Sequence, residues 1–314
     1  MGKIAFIFPG QGSQIVGMGQ SLANEYDQAK AIYDRADERL NFPLSEIIFN
    51  GPQEKLTLTE NAQPSLLTTS IAILEVFKEH GIKPDYTAGH SLGEYSALVA
   101  AGAISFEDAV YAVRKRGEYM EEAVPAGVGT MAAVLGMEET ELKEVTDEVT
   151  EKGNVVQLAN LNCPGQIVIS GSKQGVVAAA DLAKEKGAKR VIPLDVSGPF
   201  HSILMKPAAE KFSAILDEIT IKNAEVPVIA NVTANEIIEN VEIKEKLIEQ
   251  LYSPVRWSES VETMLAKGVD TFIEIGPGKV LSGLVKKVNR RVNTYAISDS
   301  ETLTEAINIL KGDA

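Results

Sequence analysis

A serine between two glycines is the first sign of chemistry in this sequence. The segment GHSLG places Ser91 between Gly89 and Gly93, after a short apolar run and before residues with helical spacing. A strand–turn–helix of the form Gly-x-Ser-x-Gly exposes the serine hydroxyl on a sharp turn, where it can act as a nucleophile. Serine is also a common first residue of a helix, so the pattern alone leaves catalysis and helix capping both open.

A serine nucleophile needs a base, and the chain has three histidines. His80 precedes Gly81 at an expected helix end, where an imidazole interacts favourably with the helix dipole. His90 is adjacent to Ser91, and neighbouring side chains of an extended segment point in opposite directions, so we expect it to pack beneath the turn. His201 lies in the irregular segment VSGPFHS and is free to approach the serine. We therefore predict that His201 is the base.

Arg116 is the candidate for binding a negatively charged group. In the predicted helix FEDAVYAVRKRGEYM, the apolar residues form one stripe, and Arg116 lies on its margin. Arg114 lies outside the stripe and Lys115 opposite it, so Arg116 is the cation that we expect to point inward. Its planar guanidinium suits a carboxylate bound through two parallel hydrogen bonds. The alternative is an arginine at a domain edge that packs its methylene groups and keeps its charge in water.

Two further glycine turns do not match nucleotide-binding motifs. In GQGSQI, Ile15 stands where a dinucleotide fingerprint has its third glycine, and before GPGK, Ile273 stands where a phosphate loop has its first. Both segments are expected to be tight strand-to-helix turns. Their backbone N–H groups remain candidates for binding an anion or an oxyanion.

Composition excludes several classes of function. The 314 residues carry a formal net charge of -14, which argues against nucleic acid and against anionic lipid as general partners. The single cysteine, Cys163, excludes an internal disulfide and a multi-thiolate metal site, so we predict no metal and a cytoplasmic location. The apolar run at the N-terminus is too short for a signal peptide, and no apolar segment is long enough to span a bilayer.

Apolar strands alternate with helical segments along most of the chain, which predicts a parallel sheet covered on both faces. We predict a strand over 3–8, a helix over 64–80 ending at Gly81, and a strand over 86–88. The C-terminal segment VDTFIEIGPGKVLSGLVKKV reads as strand, turn and helix, and NTYAIS as another strand.

The middle of the chain has a different order. Its segments predict strand, helix, strand, strand, helix, strand, which is the βαββαβ order of ferredoxin-like domains. The predicted strands cover 130–135, 155–161, 167–170 and 190–194, and the predicted helices cover 138–152 and 175–186. The flanking segments VPAGVG and PLDVSGPF are rich in Pro and Gly, as the hinges of inserted domains often are.

Six segments, in this order, resemble the family of malonyl-CoA:acyl carrier protein transacylases of fatty-acid synthesis. They are FPGQGSQ, GHSLGEYSAL, Arg116–Gly117, NLNCPGQIVISG, GPFHS and EQLYSPVRW, and the resemblance covers essentially the whole chain. We accordingly predict an α/β fold with a parallel-sheet, α/β-hydrolase-like core. The catalytic domain would comprise residues 1–125 and 195–314, and the ferredoxin-like subdomain residues 126–194.

The resemblance also implies which groups react. Ser91 would be the acylated nucleophile and His201 its partner. The backbone N–H groups of Gln11 and Leu92 would form the oxyanion hole. The backbone carbonyl of Gln250 would orient the histidine in place of an acid, which agrees with the lack of a convincing triad aspartate in the sequence.

Four residues are implied in substrate binding and selection. Arg116 would bind the malonyl carboxylate. Asn160 and Asn162 match family asparagines near the site, whose role is less defined. Phe200, just before the histidine, matches the pattern that selects malonyl over methylmalonyl groups.

The implied reaction transfers malonyl from malonyl-CoA to the phosphopantetheine thiol of acyl carrier protein, through a malonyl-serine intermediate and with no bound cofactor. One alternative is a trans-acting acyltransferase of a polyketide synthase, which the sequence does not exclude. A serine esterase or thioesterase of the α/β-hydrolase class would normally place an acid between serine and histidine in the chain. A non-catalytic acyl-binding module would lack the base.

Carrier proteins of this pathway are typically acidic, so docking on this acidic chain requires a local basic patch. One cluster, Lys286, Lys287, Arg290 and Arg291, follows the GPGK turn. A second cluster, Lys184, Lys186, Lys189 and Arg190, lies in the middle unit. We favour the first because it follows the carboxyl end of a strand, the side on which open α/β sheets place their sites. Solvated helix faces are the alternative for both clusters.

Overall fold

Two separate sheets organise the chain. The structure, a computed structural model, describes residues 2–125 and 127–312. The strands formed by these residues are β1 (Lys3–Phe8), β2 (Tyr86–Gly89), β3 (Gly129–Leu135), β4 (Val156–Cys163), β5 (Gln166–Ser172), β6 (Arg190–Pro193), β7 (Val228–Ile229), β8 (Glu236–Ile237), β9 (Val269–Ile275) and β10 (Asn293–Ile297). Residue 126, where the sequence predicts the middle unit to begin, lies outside the described residues, as do residue 1 and residues 313–314.

The larger sheet has the strand order β10-β9-β1-β2-β7-β8, and every neighbouring pair except β7 and β8 is parallel. Side chains of β1 alternate between its two faces. Phe6 and Phe8 enter one apolar cluster, whereas Ala5 and Ile7 enter a second cluster on the opposite face. The sheet is therefore buried on both sides, as parallel sheets are.

Helices cover the two faces of the larger sheet and one face of the smaller. In chain order they are α1 (Gln20–Glu25), α2 (Asp27–Leu40), α3 (Leu44–Asn50), α4 (Gln53–Thr57), α5 (Thr59–Lys78), α6 (Gly93–Ala100), α7 (Phe106–Ala123), α8 (Glu139–Glu151), α9 (Lys173–Glu185), α10 (Lys206–Glu218), α11 (Asn240–Gln250), α12 (Trp257–Ala266), α13 (Val280–Val288) and α14 (Ser300–Lys311). None of these helices is both long enough and apolar enough to cross a membrane.

The smaller sheet is antiparallel and has the strand order β4-β5-β3-β6. Helices α8 and α9 contact each other and pack on this sheet around a third apolar cluster. The order β3-α8-β4-β5-α9-β6 is the βαββαβ order predicted from the sequence, and each element begins and ends within two residues of its predicted bounds.

The predicted start of α5 is wrong. The helix begins at Thr59 and contains Pro64 in its second turn, rather than starting at the proline. Pro64 has no N–H to donate to the carbonyl of Glu60, four residues earlier. Nη1 of Arg114, on α7, donates to that carbonyl at 3.1 Å instead. A tertiary contact therefore satisfies the backbone oxygen that the proline leaves free.

The first basic cluster does not lie at the carboxyl edge of the sheet, where the sequence predicted it. Helix α13 starts at the carboxyl end of β9 and returns toward the amino end of the parallel strand β10. Arg290 and Arg291 directly precede β10, so the cluster lies near the opposite edge of the sheet from the glycine turn. Lys286 and Lys287 lie in the last turn of α13, about 9–11 Å from its first residue, and Arg290 and Arg291 lie beyond its end.

Candidate active site

The turn between β2 and α6 holds Ser91 in a conformation that few residues adopt. Its φ of 52° lies in the left-handed region. A Cβ atom on Gly89 would lie 1.9 Å from the Gly93 carbonyl carbon, and one on Gly93 would lie 2.1 Å from the Phe8 oxygen. Both glycines are thus required by close backbone approach. The turn follows the carboxyl end of β2, as a nucleophile elbow does.

Ser91 and His201 are in direct contact, as the sequence predicted. The serine Oγ lies 2.8 Å from Nε2 of the histidine, and the histidine Nδ1 lies 2.8 Å from the backbone oxygen of Gln250. A carbonyl can only accept a hydrogen bond, so the proton of the neutral imidazole is on Nδ1. Nε2 is therefore the acceptor for the serine proton.

His201 is kept neutral by its surroundings. It is 3% exposed, and its φ of 57° is again left-handed. Burial, with a further contribution from the positive charge of Arg116, lowers the pKa of His201 to about 3. Behind the histidine, Gln157 of β4 donates to its backbone oxygen at 3.4 Å and accepts from the N–H of Ile203 at 2.8 Å. At neutral pH the imidazole is free to accept a proton.

Arg116 is buried beside the serine. It is 1% exposed, and its Nη2 donates to Ser91 Oγ at 3.2 Å. Its other partners are neutral oxygens, Oε1 of Gln63 at 2.7 Å from Nη1 and Oε1 of Gln250 at 2.9 Å from Nη2. Within residues 2–125 and 127–312, no carboxylate forms an ion pair with it. Gly117 lets α7 lie close to α5, since a Cβ there would be 2.7 Å from the Glu60 Cα.

The predicted oxyanion donors flank the serine turn. A Cβ on Gly10 would lie 2.3 Å from the His90 oxygen, so the turn after β1 passes directly against the elbow. The backbone N–H groups of Gln11 and Leu92 donate to no described residue. The N–H of Ser91 itself is engaged, because it donates to Asn231 Oδ1 at 2.7 Å.

The two asparagines of β4 have different positions. Asn160 lines the pocket that contains Ser91 and His201. Oδ1 of Asn162 instead lies 2.9 Å from Nε2 of His90, whose pKa is lowered by burial. The His90 ring packs against Trp257, with ring centroids 5.9 Å apart, and the residue also borders the pocket that contains Ser91. The apolar walls of the pocket include Met120, Met131 and the predicted selectivity residue Phe200.

In the first basic cluster the lysines bond to neutral oxygens, whereas in the second cluster two lysines form ion pairs. Lys286 donates to the backbone oxygens of Arg290 and Val292, and Lys287 donates to Oε1 of Gln166 at 3.0 Å. In the second cluster, Lys184 pairs with Asp181 and Lys186 pairs with Glu148. These contacts lie away from the residues that line the serine pocket.

Three polar residues at the site were not predicted from the sequence. Gln63 binds Arg116, Asn231 binds the serine N–H, and Glu94 lies buried directly after the elbow. Glu94 was within the recognised segment GHSLGEYSAL, where an acid in an otherwise apolar helix was a usable signal. No local pattern pointed to Asn231, which lies 140 residues from its partner.

A serine hydrogen-bonded to histidine at the carboxyl edge of a parallel sheet is typical of enzymes that carry an acyl group on serine. Residues 5–303 match the acyl transferase domain family, and the chain belongs to that family.

Known proteins are similar to the chain over nearly its full length. It is 69% identical over 311 residues to a malonyl CoA-acyl carrier protein transacylase of Bacillus subtilis, covering 99% of this chain and 98% of that protein. An acyl carrier protein S-malonyltransferase of Vibrio cholerae has a similar structure, with a TM-score of 0.94, 46% identity and coverage of 97% and 99% of the two chains. A malonyl-transacylase solved in complex with a type II PKS acyl-carrier protein gives a TM-score of 0.95, 42% identity and coverage of 98% and 99%.

Proposed function

We propose that this enzyme transfers malonyl groups from malonyl-CoA to acyl carrier protein for fatty-acid synthesis. The observation that carries the proposal is the buried Arg116, which has no carboxylate partner among the described residues and lies 3.2 Å from the serine oxygen. A buried, unpaired cation is costly. A carboxylate on the acyl group attached to Ser91 would complete the pairing.

In the first half-reaction, Nε2 of His201 accepts the hydroxyl proton of Ser91 as Oγ attacks the thioester carbonyl carbon. The N–H groups of Gln11 and Leu92 hold the developing oxyanion. The carbon–sulfur bond then breaks, and the proton on Nε2 passes to the sulfur of coenzyme A. The product is an ester of malonate on the serine.

In the second half-reaction, the phosphopantetheine thiol of carrier protein takes the position that coenzyme A has left. His201 accepts the thiol proton, the sulfur attacks the ester carbonyl, and the proton returns to Ser91 Oγ as the ester bond breaks. The backbone oxygen of Gln250 orients the imidazole in both halves, since it fixes the Nδ1–H tautomer. Every proton is accounted for by the residues of this chain, without a resident cofactor.

We further infer an α/β-hydrolase-like catalytic domain, residues 1–125 and 195–314, and a ferredoxin-like subdomain, residues 126–194, in a cytoplasmic enzyme. The contact between Gln157 and the backbone of His201 would let the subdomain support the base. Asn160 is proposed to contact the substrate, whereas Asn162 would act through His90.

A polyketide carrier protein is the second candidate acceptor, because one structural neighbour was solved with such a partner. Kinetics with purified fatty-acid and polyketide carrier proteins would distinguish the two. A higher kcat/KM for the fatty-acid carrier protein is expected, and a clear preference for the polyketide one would reassign the pathway.

Intact mass after incubation with malonyl-CoA tests the chemistry. The wild-type enzyme should gain one malonyl group, which carrier protein removes, and Ser91→Ala should fold normally and gain none. Rapid release of free malonate without carrier protein would mean a hydrolase, and the absence of any adduct on the wild type would mean a binding module. A persistent adduct on Ser91→Ala would place the acyl group elsewhere, with Cys163 as the next residue to test.

A further inference from the structure

Glu94 is a buried acid that the reaction described above does not use. It is the second residue of α6, three residues after the nucleophile, and it is fully buried. Oε2 accepts from Nε2 of Gln250 at 2.7 Å and from the N–H of Asn231 at 3.1 Å, whereas Oε1 has no partner among the described residues. No cation of those residues forms an ion pair with it.

The two partners of Glu94 hold the reacting groups. Gln250 binds both halves of the site, since its backbone oxygen accepts from His201 and its Oε1 accepts from Arg116. Asn231 accepts from the N–H of Ser91 and donates to the oxygen of Gly89, so it holds the elbow. One carboxylate oxygen of Glu94 therefore links the two residues that hold the base, the cation and the nucleophile in place.

Packing alone does not account for an acid at this position. A buried carboxylate without an ion pair is costly, and burial raises the pKa of Glu94 to about 7. Ser96, two residues further along α6, is a neutral polar residue that is also fully buried and whose hydroxyl has no partner among the described residues, so it provides a control position in the same helix.

We propose that Glu94 is a positioning residue for malonyl transfer, which holds the side chain of Gln250 so that Arg116 and His201 keep their places beside Ser91. The inference rests on the proposed function and deepens it. Nε2 of Gln250 also contacts the Ser91 oxygen at 3.0 Å and Asn231 Oδ1 at 3.3 Å. Without Glu94 these weaker contacts alone orient the amide, and Oε1 no longer stays directed at the guanidinium.

The test compares serine acylation by malonyl-CoA and by acetyl-CoA in Glu94→Ala, Glu94→Gln and the control Ser96→Ala. In Glu94→Ala the rate of serine acylation by acetyl-CoA should fall roughly tenfold, because His201 is less well positioned. The rate with malonyl-CoA should fall roughly a further tenfold, because Arg116 is also displaced. Glu94→Gln retains an oxygen for Gln250 and Asn231, so it should recover most of both rates. Ser96→Ala should match the wild type.

The same experiment is repeated in an Arg116→Ala background. There, Glu94→Ala should slow both substrates equally, because the selectivity that Glu94 supports is already lost. Circular dichroism and thermal melting accompany each variant. If Glu94→Ala does not fold, Gln250→Met removes the hydrogen bond between Glu94 and Gln250 by changing the other partner. This single variant should lower the malonyl-to-acetyl selectivity about tenfold.

A folded Glu94→Ala with wild-type malonyl-to-acetyl selectivity would overturn the inference, as would equal losses with both substrates that Glu94→Gln does not restore. An unchanged selectivity in Gln250→Met would do the same. The proposed function fails in a different way, namely if the wild-type enzyme forms no malonyl adduct in the first place.

Discussion

Within the described residues, the hydrogen-bond acceptors around Arg116 are neutral oxygens. Gln63 and Gln250 fix the orientation of the guanidinium without neutralising it. Among the described residues, no carboxylate forms an ion pair with it, and the charge of Glu94 acts on it only from beyond ion-pair distance. We therefore propose that the site selects for a charged acyl group at the serine where the acyl group is attached.

Replacing Arg116 by alanine should change substrate selection more than chemistry. Loss of a charge-assisted hydrogen bond worth about 1.5–3 kcal/mol predicts a roughly 10–100-fold lower rate of serine acylation by malonyl-CoA. Acetyl-CoA should react at an unchanged or higher rate, because it has no carboxylate to bind. Rapid-quench mass spectrometry of the acyl-enzyme measures both acylation rates. Equal losses for the two thioesters would assign Arg116 a structural role.

The acylation rate should be insensitive to pH in the range where a free histidine titrates. Because the pKa of His201 is lowered to about 3, the base stays neutral from pH 8 to pH 5. With a base of ordinary pKa, about 6.5, the acylation rate would be roughly 30-fold lower at pH 5, because most of the histidine would be protonated. Acetyl-CoA is the suitable substrate, since its acyl group carries no titrating carboxylate. An acid limb centred near pH 6.5 that persists in Glu94→Gln would contradict the burial of the base, because that variant removes the buried acid whose pKa is raised to about 7.

The lowered pKa of His201 also makes the folded protein less stable as the pH falls. The unfolded chain takes up a proton on this histidine below about pH 6.5, whereas the folded chain does so only near pH 3. The contribution of His201 to stability is thus complete above pH 6.5 and is lost as the pH falls toward 3. Urea unfolding at pH 7 and pH 5 measures it in a Glu94→Gln background, where the buried acid near Arg116 no longer titrates. Arg116→Ala in that background is the comparison, because removing the cation raises the pKa of the histidine.

At the scale of elements, α5 depends on a contact from α7. Replacing Arg114 by methionine removes the donor to the Glu60 carbonyl and the ion pair with Glu118, and should cost about 1–3 kcal/mol of unfolding free energy. Adding Pro64→Ala restores an N–H for that carbonyl and should recover part of the loss. Lys115→Met, on the same helix, is the control. Additive effects in the double variant would refute the compensation.

Elements whose bounds depend on neighbouring residues were predicted well from the sequence, and elements that depend on contacts from distant residues were not. The middle unit has alternating apolar strands and amphipathic helices, and its bounds were predicted within two residues. The start of α5 was not, since the Arg114 contact that permits Pro64 comes from a residue 54 positions away from Glu60. Similarly, a local motif pointed to Ser91, and elimination among three histidines pointed to His201, whereas Asn231 acts only through contacts formed in the fold.

At the scale of the whole molecule, docking of an acidic partner on an acidic chain stays a prediction. Charge reversal at Lys286 and Lys287 should raise the KM for carrier protein and weaken its salt dependence, because fewer opposite charges meet. Serine acylation by malonyl-CoA should barely change. The matched control reverses Lys189 and Arg190 in the second cluster. Unchanged KM in the first variant with a raised KM in the control would move the docking surface to the middle unit.

The packing beneath the elbow gives the enzyme an optical reporter. The chain has one tryptophan, and Trp257 is fully buried with its ring centroid 5.9 Å from that of His90, the residue before the nucleophile. All indole fluorescence therefore originates next to the residue that precedes Ser91. We expect loading and unloading of the acyl group to change the emission of the unlabelled protein, which stopped-flow fluorescence with natural substrates would measure in real time.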